Sequence, residues 1–117
     1  MTTALSTRYG FGRLLALPHG EAVAATLRAK LGVELEPYLI LGACNPPLAH
    51  QALQAEPAIG LLLPCNVLVA ADGPGASSVW AIDPETQFSL VDKPDLAPVA
   101  AEVKARLARA LEALPTP

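Results

Sequence analysis

Val23, Leu27 and Leu31 stand four residues apart in a stretch otherwise rich in polar and small side chains, which predicts one face of a helix over 21–31. Arg28 and Lys30 near its end suit the negative pole of the dipole, and Gly32 is a natural stop. Before it, 11–17 is short and largely apolar and reads as a strand ended by Pro18-His19-Gly20. A second short apolar strand is predicted over 38–43. Asn45 then has the chemistry of an N-cap, and Pro46 needs no amide donor at the first helical position. A helix is expected over 46–54 with Leu48, Ala52 and Leu53 inward, ended at Glu56-Pro57 because a residue before proline is pushed toward extended geometry.

Residues 59–63 and 67–71 read as one extended segment interrupted at Pro64, which places it at a sheet edge or a bulge. Asp72-Gly73-Pro74-Gly75 is a turn signal, and 78–82 returns as a strand, so the region is predicted to be a hairpin closed by Asp83-Pro84. Val99, Val103, Leu107, Ala110, Leu111 and Leu114 form a helical stripe, with Glu102, Arg106, Arg109 and Glu112 outside it. Asp95 can cap this helix, and Pro98 is tolerable in its first turn. Irregular alternation of helices and strands favours an α+β fold, helices layered on a largely antiparallel sheet. Residues 1–9 show no periodicity and are expected to be a loose lead-in; 10–117 form a single domain.

Composition narrows the function classes. The 117 residues are 52% hydrophobic and 16% charged, which argues against disorder. Aromatics make up only 4%, so the core must come from Leu, Val, Ile and Ala. The net charge is −3 and Arg106 and Arg109 share their helix with Glu102 and Glu112, so no basic face is offered to nucleic acid. The longest apolar stretch is broken by Pro64 and Asn66 and is too short to span a bilayer. With no secretory signal visible, the expected location is cytoplasmic, with no membrane partner and both cysteines as free thiols.

Those two cysteines carry the candidate chemistry. LGACNPPLAH holds Cys44 and LLLPCNVLVA holds Cys65, each followed by asparagine. Cys44 is expected just ahead of a helix N-terminus, among unpaired amides that would activate a thiol or suit an anion. Cys65 follows a proline where a strand can re-aim a side chain. If the helix after Cys44 packs beside the strand bearing Cys65, the two thiols share a pocket. The plainer alternative is that both are small buried hydrophobes. His50 could complete a soft site for zinc or copper(I) with Cys44 and Cys65, although the spacing matches no zinc pattern and His50 could as easily face solvent. Asn45 and Asn66 are explained as cap and bulge residues, or could orient a polar ligand. There is no dinucleotide fingerprint, P-loop or nucleophile elbow, and no cofactor is expected.

Gly10-Phe11-Gly12, the string Ile40-Leu41-Gly42-Ala43-Cys44-Asn45-Pro46 and the string Leu63-Pro64-Cys65-Asn66 together resemble the bacterial and archaeal "domain of unknown function 302" family. Leu48-Ala49, Ile59-Gly60 and Asp83-Pro84 extend the similarity over roughly 10–90. The resemblance implies a curved, largely antiparallel sheet with helices packed on one face, similar to one TATA-binding-protein-like repeat, and a homodimer. It implies no activity, and likeness of fold says nothing about DNA binding. Relatives usually carry a further strand and helix ahead of Gly-Phe-Gly, a piece expected to be missing here.

The leading expectation is a cytosolic homodimer, not clearly an enzyme, that binds a small ligand near Cys44, Asn45, Cys65 and Asn66. One alternative is a thiol redox or sulfur-transfer protein with Cys44 as nucleophile and Cys65 resolving. The other is a non-catalytic dimeric interaction domain with structural cysteines.

Overall fold

The computed structural model of the chain describes residues 4–6, 10–15 and 22–115. Five antiparallel strands form one open sheet in the order β1-β2-β5-β4-β3, with β1 Ala4–Ser6, β2 Gly10–Leu15, β3 Tyr38–Ala43, β4 Cys65–Ala71 and β5 Ser77–Ile82. The helices are α1 Ala22–Leu31, α2 Pro46–Ala55, α3 Pro84–Phe88 and α4 Leu96–Glu112. The fold is α+β, as the alternation predicts. Ala4–Ser6 lies inside the segment expected to be a loose lead-in, yet pairs with Phe11, Gly12 and Arg13. A strand therefore does precede Gly10-Phe11-Gly12. A Cβ on either of those glycines would run into the carbonyls of Ala81 or Val79, so the motif permits close approach of β2 to β5.

Several elements fall where local chemistry puts them. Gly32 closes α1 through its amide on the Arg28 carbonyl at 3.0 Å, and Asn45 caps α2 through Leu48. The stripe of α1 reads differently: Ala24 is buried, Val23 and Leu27 are half-buried and Leu31 is exposed. On α2, Leu48 and Ala52 face inward as expected, while Leu53 faces out.

Two segments depart from the sequence reading. Residues 57–62 form a 3-10 helix instead of a strand. Pro57 starts it, and Leu63 donates back to the Gly60 carbonyl to close it. Pro64 consequently stands just before β4, neither within a strand nor at a bulge, and β4 lies inside the sheet between β5 and β3. Asp83-Pro84 opens a helix where a turn was expected. The Asp83 carboxylate accepts from the Glu85 amide at 2.9 Å, and Pro84 fills the first helical position.

The core has two lobes joined by α4. One gathers Leu48 and Ala52 of α2, Ile59, Phe88 of α3, and Leu96, Val99 and Ala100 from the start of α4. The other packs Leu111 near the end of α4 against Val79 and Ala81 of β5, with Phe11, Val67 and Val69 beside them. Lys104 bonds Asp83 at 2.9 Å and Glu85 at 3.1 Å, tying the start of α3 to the middle of α4.

Candidate functional site

Register brings the two marked segments together. Ala43 faces Cys65 across the β3–β4 ladder, and Gly42 faces Asn66. Opposed Cα atoms in such a ladder lie about 4.5–5.5 Å apart and one step along a strand adds about 3.4 Å, which puts the Cα of Cys44 roughly 6 Å from that of Cys65. That lies within the span of a disulfide, but both thiols are free. Gly42 also links the segments. A Cβ there would lie 2.7 Å from Cγ of Pro64, so the missing side chain is what lets the proline rest against β3.

Both cysteines line one cleft of about 190 Å³. Its walls are the end of β3 and start of α2, the Leu63-Pro64-Cys65 entry to β4, Phe88 of α3, and one face of α4. That face presents Val99, Val103, Arg106 and Leu107, a spacing of four, three and one that keeps all four on one side of a helix. Among the described residues lining the cleft, only Cys44, Asn45, Cys65 and Arg106 have polar side chains.

The two cysteines are not equivalent. Cys44 is exposed, whereas Cys65 keeps 6% of its surface accessible. The Cys65 thiol donates to Oε1 of Gln87 at 3.5 Å, and Nε2 of Gln87 donates to the Leu62 carbonyl. Leu62 decides the orientation of that amide. Its carbonyl can only accept, so the NH₂ group must face it, and the amide oxygen is left for the thiol proton. Burial pushes the Cys65 thiol up, and the neighbouring Cys44 acts in the same direction. Cys65 is therefore held as a neutral thiol.

The start of α2 differs from expectation in a way that bears on Cys44. Pro46 and Pro47 have no N–H. The Leu48 amide donates to Oδ1 of Asn45 at 3.2 Å, and the Ala49 amide to the Asn45 carbonyl at 2.8 Å. No unpaired amide is left in the first turn, so this terminus is no anion cradle. The idea that free amides activate Cys44 is corrected on this ground.

The other predicted residues disperse. His50 is exposed and two residues from both Leu48 and Ala52, about 200° round the helix from each, and it does not line the cleft. It is not brought to the thiols, and among the described residues no three of His, Cys, Asp or Glu are grouped to hold an ion. His19 lies outside the described residues. Asn66 is exposed and lines a second, open hollow of about 480 Å³ with Leu61, Ile82, Thr86 and Leu90. Leu63, Pro64 and the Cys65–Gln87 pair stand between the two hollows.

Two residues of the site were not singled out from sequence. Arg106 reads there as part of a solvated face, and its Nε does donate to Glu102 at 2.8 Å. Its place seven residues after Val99 was the signal that it also borders the inward face. Gln87 carries no comparable signal.

A model of the family described as "Domain of unknown function DUF302" matches residues 2–114. The chain belongs to this family. The DUF302 match takes in β1 and the whole of α4, beyond the span of the sequence motifs. A crystal structure of an uncharacterized conserved protein DUF302 from Bacillus stearothermophilus is similar, with a TM-score of 0.71 and 29% identity over 79% of this chain and 71% of that one. No curated protein matches.

Proposed function

We propose that this DUF302 chain binds a small ligand in the cleft between α2, α4 and the entry to β4, in contact with Cys44, Asn45 and Cys65. The observation that carries this reading is that both Cys-Asn segments border one concave, mostly apolar space. At about 190 Å³ it is smaller than the sites of drug-sized ligands. Asn66, on the other hollow, is left out. The test is a titration with a panel of short-chain alcohols, amides and acids, followed by backbone amide NMR. Members that bind should move the amides of 43–49 together with those of 99–107, and Ala49→Phe, which fills the cleft, should abolish the response. A panel that moves neither segment would sink the reading.

Thiol redox or sulfur transfer through Cys44, with Cys65 resolving, has the shared cleft in its favour. The protonated state of Cys65 weighs against it, because the thiolate is the attacking species.

The chain is further proposed to act as a cytosolic homodimer. In support, β3 is a sheet edge, and Ile40 and Leu41 on it are exposed together with Leu31, Val33 and Leu35 ahead of it. Light scattering should give twice the 12.1 kDa chain mass; a single-chain mass at high concentration would remove the dimer.

A further inference from the structure

Beside the free thiol of Cys44, the polar side chains of the cleft narrow the ligand. Arg106 is a guanidinium, with donors and no acceptor, and its bond to Glu102 occupies Nε. That bond holds the plane of the group and leaves the Nη1–Nη2 edge, which can pair with two oxygens at once. Asn45 turns its oxygen toward the Leu48 amide, which leaves its NH₂ group as the donor it can offer a ligand. The Cys65 thiol is committed to Gln87. Among the described residues, neither Glu102 nor any other carboxylate lines the cleft. Apart from the Cys44 thiol, the side-chain polarity at the mouth is thus mainly donating, and its one cation, Arg106, is shared with Glu102 outside the cleft, while the interior is made of Leu48, Ala52, Phe88 and Val99.

We propose that the occupant of this cleft is a small monocarboxylate with a short branched or straight apolar tail, its carboxylate on Arg106 and Asn45 and its tail against α2 and Phe88. The proposal rests on the ligand reading above and names the chemical class that reading leaves open. A carboxylate fits better than a phosphate for two reasons. Its single charge and planar pair of oxygens match one guanidinium. The α2 terminus, which would stabilise a phosphate, has no amide to give.

The probes are isovalerate and isovaleramide, which share a tail and differ in the charge of the head. Both are titrated into the full chain and followed by backbone amide NMR. Isovalerate should bind about tenfold tighter than the amide, the loss expected for a charge-assisted bond. Arg106→Met should erase that difference by weakening isovalerate about tenfold more than the amide, with an unaltered melting temperature showing that the fold persists. Arg106→Lys should retain part of the preference. Equal binding of acid and amide, or a preference that survives Arg106→Met, would overturn the carboxylate assignment while leaving the cleft reading intact. If neither probe moves the cleft amides, and the wider panel of alcohols also fails, the cleft reading itself falls. Inorganic phosphate binding more tightly than isovalerate would likewise reject the assignment.

Discussion

Replacing Cys65 by alanine removes a thiol proton from Gln87 and a sulfur from a nearly closed environment. The expected loss of stability is about 1–2 kcal/mol, measured by urea denaturation. The same substitution changes the alkaline limb of the stability profile. Folding raises the pKa of this thiol, so above the unfolded value the folded chain holds the proton more tightly than the unfolded one does. The stabilisation is complete below the unfolded pKa and is lost as pH rises through the folded value. Above about pH 8.5 the parent should therefore lose stability more steeply than Cys65→Ala. Parallel profiles for the two proteins would show that the thiol is not protonated for the reasons given.

At the scale of elements, Gly42 and Pro64 show how two distant segments depend on each other. β3 and β4 could pair without regard to residue 42, but the proline ring occupies the space above it. Gly42→Ala forces that ring to move, and an overpacked contact of this kind costs about 1–3 kcal/mol. Because Pro64 also lines the cleft, probe binding should weaken in the same variant. Gly60→Ala is the control. Nothing lies within 4 Å of a Cβ there, so its urea midpoint should stay within a few tenths of a kcal/mol of the parent or rise slightly. Similar losses in both variants would mean that the contact is not what makes Gly42 special.

For the whole molecule, α4 is the shared wall of two core lobes. Leu96 belongs to the helical lobe and Leu111 to the lobe under the sheet. Each is nearly fully buried, and truncation to alanine should cost about 2–5 kcal/mol. Since one continuous helix carries both, either variant should unfold in a single transition. Trp80 fluorescence on β5 and far-ultraviolet circular dichroism should have coincident midpoints in urea. Separated midpoints in the Leu96→Ala variant would show that the lobes are energetically independent. The same arrangement locates the cleft, where α2, α3 and α4 meet the end of the sheet that both Cys-Asn segments reach.

What the sequence determined by itself was local. The cap and prolines of α2, the hairpin turn at 72–75, the stop at Gly32 and the stripe of α4 each depend on residues within a few positions of one another, and short-range hydrogen bonding and backbone restriction decide them. The start of α2 reads wrongly at this same local scale: it predicts unpaired amides beside Cys44, although Pro46 and Pro47 have none to offer. Only the tertiary structure decided which cysteine is buried, that Gln87 orients its proton, and that Arg106 borders the cleft while His50 and Asn66 turn elsewhere. Periodicity names the face of an element but not what stands across from it. Strand register and helix packing supply that, and they are set by contacts between residues far apart in the chain.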